Sequence, residues 1–234
     1  MTPNPVAVGI HQPNYLPWLG YFQKIALSDA FVFFDNVQMP GGKSFVSRNR
    51  VLTPQGPLWL TVPIARTSAP RRIAEVPIAG DKWLFKHLRT LEHAYTGSPW
   101  RDDVLSCLTP VLRAGPENIA DLNIALIEAI SRLIGLEARF LRATTLDLKE
   151  EGADSIPEIL ALTAATIYVT GAGAGTQRYL DTEALAERGI ETRFLPASVP
   201  TYPQSREPFE ANLSIVDALF NIGPDSCRTL LTVD

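Results

Sequence analysis

The 234-residue sequence is short of the residues that most often announce chemistry. It has two cysteines and three histidines. Cys107 and Cys227 lie far apart, with no CxxC spacing and no histidine beside either in sequence. That excludes a disulfide framework and the common zinc-binding pattern, leaves thiol catalysis unsupported, and suits a reducing compartment. His87 and His93 stand six apart in a helical pattern, so they do not share a face at metal-ligand spacing, and both read as structural or surface residues. There is no HExxH, no GxSxG elbow and no DxD. An excess of positive charge is missing too. The formal net charge is -4, which argues against nucleic acid as a partner, although Lys43, Arg48 and Arg50 cluster locally, as do Arg71 and Arg72. No stretch approaches the 18 or so apolar residues of a membrane span. The opening "MTPNPVAVGI" lacks the basic segment and apolar run of a signal peptide, so a cytoplasmic location is expected. No internal repeat or low-complexity tract is evident.

What is present is globular: 46% hydrophobic residues, 20% charged, and 19 prolines scattered between periodic segments. The expectation is one α/β domain over residues 1–234 with a mostly parallel sheet and flanking helices. A β-rich antiparallel insert falls near 40–80 and a helical lobe near 81–136. "VAVGI" (Val6–Ile10) and "AFVFFD" (Ala30–Asp35) read as buried strands. Between them "LPWLGYFQKIALSD" reads as a helix, with Leu16 near its cap and Pro17 in its first turn. Strand, helix and strand in about thirty residues predict a parallel pair. "KSFVSRNRVLT" and "PLWLTVPI", separated by "PQG", predict a hairpin, and "IAEVPI" suggests a further strand. Three helices follow. Pro110 is a candidate kink in the second. The third is capped by Asn118, with Asp121 three residues on and Gly135 as its stop. The last third alternates again. "EARFLRAT", "TIYVT" and "IETRFLP" are strands. Helices are capped by Ser155 and Ser214, and Gly223 is read as the end of the last one.

The chemistry is expected at the carboxyl ends of the strands, where open α/β sheets bind their ligands. His11 follows the first strand directly. It is either a base held there or a brace for the proline-rich turn. Asp35 ends the second strand and either pairs with His11 or closes an Asx turn. These two are the catalytic candidates. Gln12, Asn14, Tyr15 and Tyr21 are groups a rigid turn can present beside His11. Lys24 lies one helical turn beyond Tyr21 and offers a cation. Asn36 and Gln38 add amides near Asp35. Arg48 and Arg50 point the same way on a strand and suit a phosphate or carboxylate, with Asn49 between them, unless they guard an edge strand. "TGAGAGTQRYL" carries Gly171, Gly173 and Gly175 after a strand and before a helix. Its amides can approach an anion, with Arg178 and Tyr179 beside it, yet it is neither GxGxxG nor a P-loop. Tyr202, Gln204 and Phe209 are wall residues of a pocket or of a capping loop. No cofactor and no metal site can be named from these residues. The expected partner is a small molecule, phosphate-bearing or a nucleotide sugar.

Together "HQPNYLPWLGYFQKI", "FVFFDNVQ", "RN", "WLTVPI", "GAGAGTQRYLD" and "PTYPQ…F…LSIVDALFNIG" resemble the WbqC-like family over nearly the whole chain. The chain departs from that pattern at its alanine-rich glycine loop and at "MPGGKSF". The resemblance marks His11, Gln12, Pro13, Tyr15, Pro17, Trp18, Gly20, Tyr21, Asp35, Gln38, Arg48, Asn49, Gly171, Tyr179, Tyr202 and Gln204. It implies a link to bacterial surface-polysaccharide gene clusters and transfer of an acyl or aminoacyl group, glycyl included, to an amino sugar. A looser resemblance, strand–histidine–turn–helix–strand, is to nucleotidylyltransferases. The second histidine of their HxGH signature is absent here. A non-catalytic small-molecule-binding protein is the remaining reading.

Overall fold

A computed structural model describes residues 4–65, 69, 71–173, 180–196 and 200–232. The chain begins with β1 (Ala7–His11), α1 (Leu19–Ala26) and β2 (Ala30–Phe33). A hairpin of β3 (Arg48–Thr53) and β4 (Gly56–Thr61) follows, then α2 (Lys82–Ala94), α3 (Arg101–Arg113) and α4 (Ile119–Ile134). The last third adds β5 (Arg139–Arg142), α5 (Ile156–Leu162), β6 (Ile167–Thr170), α6 (Thr182–Glu187), β7 (Glu191–Phe194) and α7 (Ile215–Leu231).

Five strands form one sheet in the order β5-β2-β1-β6-β7, and each neighbouring pair is parallel. The chain builds outward from β1 to β5, then returns to the other side of β1 to place β6 and β7. The order therefore reverses between β1 and β6, and a crevice opens there beyond the strand ends. β1 and β2 are buried almost throughout, which explains their unbroken apolar character. β3 and β4 form a separate antiparallel pair, as the "PQG" turn predicts.

Gly9 is what lets α1 sit close to the sheet. A Cβ there would stand 2.7 Å from Ser28 Oγ and 3.0 Å from Lys24 Cγ. With glycine in the strand, the Lys24 stem lies against β1.

Several expected boundaries shift. α1 starts at Leu19, not at Pro17, because Leu16 turns left-handed at φ 41° and the chain first pairs with the start of α7. Ile215 N–H donates to the Pro17 carbonyl at 2.7 Å, and Trp18 bridges Ser214. "IAEVPI" forms a 3₁₀ turn (Ile73–Glu75) with single bridges at Pro77 and Ile78, since Pro77 has no N–H to extend a ladder. α3 passes through Pro110 as one helix. Asn118 caps α4 by accepting from Asp121 N–H, and Gly135 ends it at φ 80°. Ser155 is no cap. Its hydroxyl donates to the Gly152 carbonyl. Ser214 does cap α7, but Gly223 is a kink, after which Pro224 starts a second helical stretch reaching Leu231. No described helix is long and apolar enough to cross a membrane.

Candidate functional site

His11 is the last residue of β1 and stands at the reversal point of the sheet. It is partly buried, with its ring 4.8 Å from the Tyr21 ring and 5.8 Å from the Trp18 ring. Its Nδ1 lies 3.0 Å from the Gln12 carbonyl. A carbonyl only accepts, so Nδ1 carries the proton and Nε2 is left as the acceptor. The Tyr21 hydroxyl donates to the same carbonyl at 3.1 Å. Burial, and then the nearby charge of Lys24, push the His11 imidazole down to about 3. It is neutral at physiological pH.

Lys24 is the second polar group of the site. Only 4% of it is exposed, and its Nζ donates to the Ile10 carbonyl at 3.1 Å. No carboxylate pairs with it among the described residues, and burial lowers its ammonium to about 7. At neutral pH a substantial fraction is the free amine.

Two cavities meet at these residues, and His11 and Lys24 line both. One, of about 390 Å³, is completed by Trp18, Tyr21, the backbone of Gly171–Gly173 and Asn212. The other, of about 570 Å³, has Phe34, Val37, Ile156 and Tyr168 in its wall and Gln12, Gln38 and Thr170 as polar groups. His11 and Lys24 thus form a partition with space on either side.

The structure brings together His11, Gln12, Tyr21, Lys24, Gln38, Gly171 and Gly173 from among the residues singled out in the sequence. Arg178 and Tyr179 lie outside the described residues. The others are placed elsewhere. Asp35 does not pair with His11. It is fully buried, accepts from Arg142 Nε at 2.7 Å, and accepts from the Thr144 amide and hydroxyl at 3.0 and 2.9 Å. Arg142 reaches on to Asp121 at 2.7 Å, so Asp35 ties β2 to β5 and α4. Tyr15 is buried and its hydroxyl meets His87 Nδ1 at 2.9 Å, which makes both structural; Asn14 is buried in the same turn. Asn49 braces that turn from below: its Nδ2 donates to the Leu16 carbonyl at 2.7 Å, the residue with the left-handed backbone. Arg48 and Arg50 do share a face, as the strand period requires. Arg50 is held by Glu210, however, and Arg48 stacks over Trp59. Tyr202 and Gln204 surround buried Asp217 together with Tyr95.

Trp18 and Tyr168 are cavity residues that the sequence does not single out as catalytic or substrate-binding. Trp18 sits in the long opening motif, which was the available signal; Tyr168 alternates in a strand and gives none.

The model of the WbqC-like protein family matches residues 12–229. This chain belongs to that family. It is also 32% identical over 222 residues to the Mycobacterium tuberculosis (strain ATCC 25618 / H37Rv) protein Rv1507c, covering 94% of this chain and 95% of that one. No solved structure matches it. The family match begins directly after His11 and takes in Lys24, the cavity-lining residues that follow, and the Asp217 cluster.

Proposed function

We propose that this WbqC-like protein is a group-transfer enzyme that moves an acyl or aminoacyl group onto the amine of an amino sugar. The supporting observation is the partition: a buried lysine with a lowered pKa and a neutral histidine, standing between two cavities at the sheet's reversal point. Transfer between two substrates calls for two adjoining volumes and a proton acceptor where they meet. Lys24 takes that role in preference to His11. An imidazole near 3 is too weak a base, and Asp35 is engaged elsewhere. In the reaction the acceptor nitrogen attacks the donor carbonyl. The new C–N bond forms as the bond to the leaving group breaks, and the proton lost by nitrogen passes to the Lys24 amine. His11 Nε2 accepts a hydrogen bond from the attacking N–H and orients it.

The test compares wild type, Lys24→Met and His11→Ala for acyl transfer to amino-sugar nucleotides, with native mass spectrometry of the purified protein to identify retained donors. Lys24→Met is expected to lose about 100-fold or more, the usual scale of a general base. Equal rates in all three proteins would remove the partition from the mechanism.

A second reading rests on the sheet order, in which a histidine ends the central strand beside the reversal point, as in nucleotidylyltransferases. It predicts heat on mixing with ATP and Mg²⁺ in a calorimeter. No heat with ATP, with or without Mg²⁺, removes it.

A further inference from the structure

Arg48 has no part in the two cavities, yet its environment is unlike that of its neighbour. Arg50, on the same face of β3, is fixed by Glu210 at 2.7 Å and by the Ala211 carbonyl at 3.1 Å. Arg48 has no carboxylate or carbonyl partner among the described residues. It is held instead by stacking, with its guanidinium carbon 3.9 Å from the centre of the Trp59 ring. Trp59 is 39% exposed and Phe45 beside it is 44% exposed, with ring centres 6.0 Å apart. Two large aromatic rings in the open, next to an unpaired arginine, are costly to leave uncovered.

This surface is continuous with the site. Phe45 is 5.7 Å from Trp18, and Trp18 is 5.8 Å from His11 while lining the smaller cavity. The platform is also held rigidly to the opening motif. Tyr15 N–H donates to the Phe45 carbonyl at 3.0 Å, and Asn123 Nδ2 donates to both the Pro13 and Val46 carbonyls. Such support fixes the rings before any ligand arrives.

We infer that Phe45, Trp59 and Arg48 form a nucleoside diphosphate subsite, which holds the carrier portion of a substrate whose reacting end enters the cavity past Trp18. The chemistry is specific to that class. A base needs an exposed ring or guanidinium plane to stack on, and a diphosphate needs a cation that no internal carboxylate has neutralised. The exposed Phe45 ring meets the first need, and Arg48, which has no carboxylate partner among the described residues, meets the second. The inference rests on the transfer reading for the identity of the reacting end, but not for the binding itself.

The test is binding of UDP and ADP, with uridine and inorganic pyrophosphate as controls, followed by tryptophan fluorescence and calorimetry. Wild type should bind one of the two nucleotides more tightly than either uridine or pyrophosphate. Phe45→Ser, at an exposed position, should weaken it about tenfold through lost stacking. Arg48→Gln should weaken the nucleotide about tenfold and leave uridine unchanged. Lys24→Met should bind as wild type does, so loss of transfer and loss of the subsite are separable. Failure to bind either nucleotide, or binding that Phe45→Ser and Arg48→Gln leave unaltered, overturns the inference.

Discussion

Two buried polar centres in this molecule have opposite characters. Around Asp217 every acceptor is spent. Its carboxylate takes the Tyr95 hydroxyl at 2.6 Å, the Tyr202 hydroxyl at 2.8 Å and Gln204 at 3.3 Å, and Tyr95 in turn accepts the Leu52 N–H. The cluster joins α7 to β3, to α2 and to the 202–210 segment. Around His11 and Lys24 the capacity is unspent. The imidazole keeps Nε2, Lys24 makes one bond to a carbonyl, and both groups face open volume. Satisfied networks hold a fold in one shape. Underused polar groups in a cavity are where ligands gain by binding. The contrast separates scaffold from site more surely than residue type does.

The contrast can be broken by mutation. The largest effect on stability is expected from Asp217→Ala, which orphans two buried hydroxyls and an amide and should cost about 3 kcal/mol or more. Urea unfolding measures it, and transfer by the remaining folded protein should be unchanged. Asp35→Ala should come next, at about 3 kcal/mol, because it strands Arg142 and Thr144. A change in the activity of folded Asp35→Ala would return Asp35 to the site.

Lys24→Met should behave in the reverse way, keeping the fold and losing the function. Its pH signature has a definite sign. Lys24 is lowered in the folded state to about 7 from 10.5, so between those values the unfolded chain binds more protons. Stability contributed by this site therefore rises with pH across that window, at no more than about 1.4 kcal/mol per pH unit. Lys24→Met should flatten that rise in a series of denaturation curves. His11, lowered to about 3 from 6.5, gives the same sign at lower pH. Acidification from 6.5 towards 3 destabilises wild type, and His11→Gln should lessen the loss. The smallest effect is Asn118→Ala at the start of α4, about 1 kcal/mol from a lost cap, with no effect on either centre.

Much of the fold was legible because its signals are local. Apolar β-branched and aromatic runs gave β1, β2 and β6, and Asn118 with Gly135 bounded α4. The misread places are those where a distant residue decides. Pro17 and Trp18 stay outside the helix because residues 214–215 claim their backbone, while Asn49 takes the Leu16 carbonyl. Gly223 bends α7 without ending it, because the following proline restarts the helix and the Trp100 indole fills the space a Cβ would need. At the site, His11 was readable from its place after a strand. The partner of Asp35 was not, because Arg142 lies 107 residues away. Tyr202 and Gln204 were read as walls of a pocket or of a capping loop, and the choice was open for the same reason: a tyrosine in a proline-rich loop looks alike whether it faces a ligand or a buried Asp217. Lys24 was the opposite case. It was read as a cation, and its burial against Gly9 with no carboxylate partner among the described residues lowers its hold on the proton.

The proposed reaction requires Lys24 to be a free amine where two cavities meet. Trace acylation of lysine side chains across pH, read by peptide mass spectrometry, tests this directly. Lys24 should label with a midpoint about 7, and transfer activity should rise through the same midpoint. Labelling with the ordinary midpoint of 10.5, or activity that does not follow it, would contradict the account.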